Sequence, residues 1–380
     1  MERLIKICTN IIRGFTIPLL NFIIIIFGIQ HFGKQNWGEY ISIQIWISLF
    51  VFILNWGNKE YLIRIYSHQP SKVYFHFLSN FFTRSILIFT TSILFFFFPI
   101  KISLSAILII FLMHTYNSFE SLIIYQQKFA QQLFIEILGF LIFFITLYHL
   151  KKFDLEIILG LYSLSISIKV VLSIIVFKIW KEKLSFQISF QQLLFSFSFF
   201  ILGFSGMINS KVDLYLVNLF LSKEIISSYQ TITTAFLMLQ SMAFLITAPI
   251  NKSLYRSNKQ VFDKLIKIAG KIAIPIALFG SFCIWLFLEK YVKLGLEWPI
   301  YLLCFFSSLP PFYYIIPIYS LYKKHLEKKV LYSNLFATLI NFILGFVLLK
   351  KLGIVGIFIS VCLTQWIYLI IIKKYESSSS

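Results

Sequence analysis

The sequence predicts an all-α integral membrane protein of about 12 transmembrane helices in two pseudo-symmetric six-helix lobes. Three observations predict it. Of the 380 residues, 59% are apolar and only 13% charged, against about 25% charged in a soluble domain, and mean hydropathy is +0.84. Apolar runs such as 86–100, 102–113 and 133–147 are nearly free of charge, recur along the chain and are apolar all round. That is the pattern of helices about 20 residues long rather than of alternating barrel strands. Finally, the second half repeats the first at a nearly fixed offset.

In order, the predicted spans are 9–30, 41–58, 79–99, 102–124, 131–149, 155–177, 188–212, 225–249, 265–288, 299–320, 329–349 and 353–372. The first is long, is interrupted by polar residues and has no small-residue cleavage site after it, so it reads as a span rather than a cleavable leader. Connections are too short to hold a soluble domain. Glycines 33, 38 and 57 fall in loops or span ends, where a turn suffices to explain them. Residues 1–180 form the predicted N-terminal lobe, 181–190 a cytoplasmic linker and 191–375 the C-terminal lobe. The polar tail 376–380 is expected to lack structure.

Charge orients the spans. With the N-terminus inside, 23 Lys and Arg fall on the cytoplasmic side and 9 outside, with Lys169 and Lys211 left within spans. The positive-inside rule then places both termini in the cytoplasm, as an even span count requires. It also explains the net charge of +19 through anionic lipid headgroups, without nucleic acid as a partner.

The repeat rests on matches at three offsets. At an offset of 189, Gly14-Phe15-Thr16 falls on Gly203-Phe204-Ser205, and the first loop, 31–40, on 220–229, so that Lys34 meets Lys223 and Tyr40 meets Tyr229. Tyr125 matches Tyr322 at 197, and Leu150-Lys151-Lys152 matches Leu349-Lys350-Lys351 at 199. Six spans per repeat is an even number, which gives parallel repeats related by an axis along the membrane normal. Transporters built this way bind substrate between their halves. The prediction is therefore a polar cleft lined in part by 13–21 and 203–213.

No P-loop, HExxH, GxSxG or clustered His/Cys motif occurs, so neither cofactor nor metal is expected, and the chain reads as a non-enzyme. Cys8, Cys283, Cys304 and Cys362 are scattered and read as small lipid- or core-facing residues. The informative residues are polar groups inside spans, which are costly there and usually functional. Arg13 either faces a cytoplasm-open cavity, on a helix weakened by Gly14 and Pro18, or snorkels to headgroups. Lys169 lies too deep to snorkel, which implies a cavity role or a buried partner, with Glu120 and Glu136 as candidate partners or proton carriers. Lys211 and Asp213 are two residues apart and so point different ways, one lining the cavity and the other paired elsewhere, with Asp213 a candidate for ion or proton coupling; the alternative is an interfacial pair. His114 is a hydrogen-bonded core residue or a proton relay. Arg64 and Arg84 flank the first large cytoplasmic loop, either in the substrate path or at the membrane surface. Asn21, Asn117, Asn209 and Gln44 are candidates for interhelical hydrogen bonding. Pro249, Pro275, Pro310, Pro311 and Pro317 supply kinks in the second half. Arg13, Lys169 and Lys211 together suggest a cleft that attracts an anion such as phosphate or pyrophosphate.

Several stretches resemble a known family. Asn10 to Tyr40, with Arg13-Gly14 and the loop Phe32-Gly33-Lys34-Gln35-Asn36-Trp37-Gly38-Glu39-Tyr40, is similar to the opening of bacterial polysaccharide-biosynthesis flippases. In that family a Phe-Gly step and a Gly-x-Tyr end the first loop. The stretch from Asn55 to Arg64 resembles the family's Gly-rich end of span 2 running into an Arg, and Lys211-Val212-Asp213 followed by Tyr229 resembles its second-half signature. Ser227-Ser228-Tyr229 departs from it in lacking the glycine. The superfamily is that of the multidrug/oligosaccharidyl-lipid/polysaccharide exporters. The resemblance implies a MATE-like fold in a bacterial cytoplasmic membrane and a mostly cationic cavity. It further implies alternating-access translocation of an undecaprenyl-pyrophosphate-linked oligosaccharide to the outer leaflet for O-antigen, lipopolysaccharide or capsule synthesis. Arg13, Arg64 and Lys211 then become headgroup contacts. Expected partners are that lipid-linked substrate, membrane lipids and other polysaccharide-assembly proteins. The alternatives are a multidrug/cation antiporter of the same fold and a membrane-embedded polymerase or acyltransferase.

Overall fold

The computed structural model describes residues 2–179, 186–247, 259–324 and 326–378. Within them every regular element is helical. In order these are α1 (Glu2–Phe32), α2 (Lys34–Asn55), α3 (Asn58–His68), α4 (Val73–Ser85), α5 (Ile100–Ser118), α6 (Glu120–Gln126), α7 (Phe129–His149), α8 (Leu155–Phe177), α9 (Phe190–Phe220), α10 (Lys223–Thr247), α11 (Lys259–Phe287), α12 (Trp298–Ser308), α13 (Pro310–Lys323) and α14 (Glu327–Ser378). Helix α4 tightens into a 3-10 stretch, Ile86–Phe96, and α11 runs into a π turn, Leu288–Val292.

Nine helices among the described residues are long and apolar enough to cross a membrane, and ten if the halves of α9, bent by 51°, are one span. Helix α10 lies outside that set because Ser227, Ser228, Gln230, Thr231, Thr233 and Thr234 lower its hydropathy. Helix α14 has 52 residues and breaks at Gly353, whose φ of 58° is left-handed. At 1.5 Å per residue it is roughly 78 Å long, enough to cross a hydrocarbon core of about 30 Å twice. Counting α10 and both halves of α14, the fold has about 12 spans, as predicted. Phe89, Phe96, Phe279 and Leu194 are exposed on its surface, as contact with lipid requires.

The chain forms two compact units: residues 1–24 with 39–204, and 25–38 with 205–380. The first therefore includes the start of α9, and the second the hairpin that joins α1 to α2. Of the predicted linker, 181–185 lies outside the described residues. The remainder runs along α4, where the Gln187 and Ser189 amides donate to Ser79 and Thr83 hydroxyls at 2.9 and 3.1 Å. Pro249 also lies outside them. Helix α14 continues to Ser378, so three residues of the tail expected to lack structure are helical, leaving 379 and 380 undescribed.

In the first unit, Leu62, Tyr66, Phe77, Phe119, Leu122 and Phe177 make a core joining α3, α4, α6 and α8. In the second, Tyr314, Leu321, Val330, Ala337, Tyr368 and Ile372 join α13 to both halves of α14. Two glycines in the second unit admit close packing, one of a backbone and one of a ring. A Cβ on Gly38 would lie 1.9 Å from the Lys223 carbonyl oxygen, and one on Gly28 would lie 2.1 Å from the buried Trp37 ring. Gly38 is thus inside α2 and serves packing, where a loop turn was predicted. Gly33 keeps the turn role, with φ of 83°.

Candidate functional site

The first unit concentrates polar chemistry where helices break. Helix α2 ends at Asn55, and Trp56 and Gly57 both take positive φ, at 23° and 64°. Helix α3 starts immediately after, with no side chain capping its N-terminus. Helix α5 ends at Ser118, and α6 starts at Glu120. A cavity of about 430 Å³ opens at these breaks, lined by Phe52, Asn55, Gly57, Asn58, Lys59, Asn117, Glu120, Phe199 and Gly203. The Trp56 ring stacks on Phe200 at 3.8 Å and its indole N–H donates to the Leu193 carbonyl at 3.0 Å, which ties the α2–α3 turn to α9.

Arg84 holds both breaks. Of the two places the sequence left open for it, the substrate path and the membrane surface, it does not take the surface, being fully buried. Its Nη1 donates to the Leu54 and Asn55 carbonyls at 3.3 and 2.8 Å, and Nη2 to the Ser118 hydroxyl at 3.4 Å. The guanidinium thereby satisfies the last carbonyls of α2, which have no intrahelical donor, and places a cation at the negative end of that helix.

The predicted site residues pair with one another. Arg13 grips Glu120 with both terminal nitrogens, at 2.9 and 3.0 Å, and donates to Gln132, which itself donates to Glu120 at 3.1 Å. Lys169 donates to Glu136 at 2.7 Å, and the Tyr116 hydroxyl donates to the other carboxylate oxygen at 2.8 Å. Gly139 leaves room for this arrangement, since a Cβ there would lie 2.2 Å from Lys169 Cε. His114 is buried, stacked on Phe81 at 5.2 Å, with Nε2 3.3 Å from the Ser85 hydroxyl. Arg64 is exposed on α3. At the turn before α7, Lys128 Nζ donates to the Val176 carbonyl at 2.9 Å; burial, and then nearby Lys178, lower its pKa.

Lys211 and Asp213 belong to the second unit. Asp213 is buried and accepts from the Tyr229 hydroxyl, and Lys211 is half-buried. A further acid there escaped the sequence reading. Glu289 accepts from the Gly295 and Leu296 amides, both at 3.1 Å, and from the Tyr301 hydroxyl at 2.6 Å, closing the turn after the π stretch. Lys59, Asn55 and Asn58 also escaped it as cavity residues. Their signal was a run of amides and glycine between two apolar segments. Among the described residues no group of three or more His, Cys, Asp or Glu is placed to hold a metal.

This is an all-helical, multi-pass membrane protein with the fold shared by MATE transporters and lipid II flippase. In particular, the chain is similar to lipid II flippase MurJ in its inward closed conformation, with a TM-score of 0.68 and 16% identity over 96% of this chain and 87% of that one. It is similar also to an inward-facing multidrug resistance MATE family transporter of the MOP superfamily, with a TM-score of 0.65 and 12% identity over 99% and 97% of the two chains. The outward-facing conformation of such a transporter matches at a TM-score of 0.54, with 12% identity over 99% and 94%. No protein-family model and no curated protein matches the sequence. Identities this low establish the fold alone.

Proposed function

We infer that the protein is a flippase that moves an anionic lipid-linked oligosaccharide, of the undecaprenyl-pyrophosphate type, across a bacterial cytoplasmic membrane by alternating access. O-antigen or capsule synthesis is the use such a substrate would serve, and both termini face the cytoplasm. The observation that carries this reading is the polar cavity at the α2–α3 and α5–α6 breaks, with Lys59 and three asparagines among its lining residues. The α5–α6 break lies within the span Ile100–Gln126, and broken spans are where transporters of this general build bind substrate, because the breaks free backbone groups inside the membrane. The fold shared with a lipid II flippase supports the same reading.

An antiporter for cationic drugs would need acids open to its cargo. Glu120 and Glu136 are held by Arg13 and Lys169, and Asp213 accepts from Tyr229, which favours an anionic cargo over a cationic one. A polymerase or acyltransferase would need a catalytic motif, and the sequence carries none of those sought. The test is deletion of the gene. The expected outcome is loss of surface polysaccharide with lipid-linked repeat units accumulating in the inner leaflet; normal surface glycan without that accumulation overturns the flippase reading.

A further inference from the structure

We propose that the cavity at the α2–α3 break is a sugar-phosphate site, with Lys59 and the start of α3 taking the phosphate and the Asn55 and Asn58 amides taking sugar hydroxyls. The first N–H groups of α3 have no intrahelical acceptor and lie at the positive end of its dipole. Gly57 supplies no side-chain cap, and Lys59 adds an exposed ammonium beside them. The second, independent observation is Asn58. It is 5% exposed and lines the cavity, and its Oδ1 finds no hydrogen-bond partner among the described residues. The Oδ1 of Asn55 is in the same condition. Buried amide oxygens left this way are costly.

The amides decide the ligand class. Phosphate oxygens satisfy donors only, whereas an amide presents an acceptor beside its donors. A bare phosphate would therefore satisfy Lys59 and the helix end but leave the amide oxygens unpaired. Hydroxyl groups satisfy both ends of an amide. Phe52 and Phe199 add flat apolar faces. At about 430 Å³, the cavity is within the range of small-ligand pockets, roughly 300–1,000 Å³.

The flippase reading enters here only as one source of the ligand: a lipid-linked sugar pyrophosphate and a soluble sugar phosphate share this chemistry. The purified full chain is titrated calorimetrically with inorganic phosphate, N-acetylglucosamine, and a panel of hexose, N-acetylhexosamine and hexuronate 1-phosphates. At least one sugar phosphate is expected to bind at least tenfold tighter than either the free sugar or phosphate. Lys59→Ala, a change at an exposed position, should weaken it at least tenfold without changing free-sugar binding. Asn58→Asp, which loses the amide donor and brings a negative charge toward the phosphate, should weaken the sugar phosphate more than the free sugar, and thermal unfolding checks that both variants are folded. Saturable binding by none of the panel, equal binding of inorganic phosphate, or parental affinity in both variants overturns the site.

Competition by a short-chain polyprenyl-pyrophosphoryl sugar assigns the lipid-linked source, and its failure to compete assigns the soluble one. Flipping in proteoliposomes separates the two readings. Parental flipping together with parental sugar-phosphate affinity in the Lys59→Ala variant sinks the site and leaves the flippase standing. Variant-sensitive binding by a protein that flips nothing sinks the flippase and leaves the site.

Discussion

The Lys169–Glu136 pair lies inside spans, where each charge alone would be strongly disfavoured. Their 2.7 Å contact, with Tyr116 on the second carboxylate oxygen, leaves each ion a partner and the carboxylate fully engaged. Removing one partner strands the other. Lys169→Met is expected to destabilise the protein by about 3–5 kcal/mol, and adding Glu136→Leu should recover most of the loss, because a buried pair often gives way to apolar residues at little cost. Thermal unfolding of the purified single and double variants measures this; a double variant no better than Lys169→Met would show that the pair is not the unit of stability. Arg84 raises the same issue with backbone partners. Arg84→Met leaves the Leu54 and Asn55 carbonyls without their donor, at about 1–3 kcal/mol per unsatisfied group. A melting temperature equal to the parent's would show that other donors replace it. From the sequence, Lys169 was legible as needing a cavity or a buried partner, since no snorkelling path was long enough. Arg84 was not, because its position beside a basic loop gave it the same appearance as a surface arginine.

At the scale of elements, the breaks matter more than the helices. The α2–α3 turn needs two successive left-handed residues, and Trp56 is one of them, a conformation that non-glycine residues adopt at a cost. Arg84 and the Trp56 stacking on Phe200 hold that turn in place. Glycine substitutions separate packing from turn roles. Gly38→Ala puts a methyl 1.9 Å from a backbone oxygen of Lys223, so α2 and α10 must shift apart; a large fall in thermal stability is expected. Gly14→Ala meets nothing within 4 Å and should stabilise α1 by up to about 1 kcal/mol through helix propensity. Parallel melting curves test both, and equal effects would contradict this account. Helix existence was legible because it follows from local hydropathy. The extension of α2 back to Lys34 was not, because the helix there carries Lys34, Gln35, Asn36 and Glu39, which hydropathy alone assigns to a loop.

At the scale of the whole molecule, the repeat recurs in the packing of each unit taken separately. Tyr40 stacks edge-on to Tyr162 at 6.3 Å, and its repeat partner Tyr229 packs against Phe358 at 4.9 Å. Tyr125 and Tyr322, the second matched pair, each pack against the core of their own unit. Orientation is tested by single cysteines in a cysteine-free background. A cysteine at Ser71 should react with a membrane-impermeant thiol reagent only when the cytoplasmic face is opened, and one at Lys152 should react from outside. The reverse pattern would invert the charge-based topology. Hydropathy, charge bias and an internal repeat, all readable along one strand of sequence, determined the membrane class, the helical fold, the span count and the expected orientation. Tertiary structure decided which polar residues meet: Arg13 with Glu120, Lys169 with Glu136, Asp213 with Tyr229, and Arg84 with two helix ends. Spans are set by sums over neighbouring residues, whereas pairing depends on the rotation and depth of separate helices, which no local sum contains.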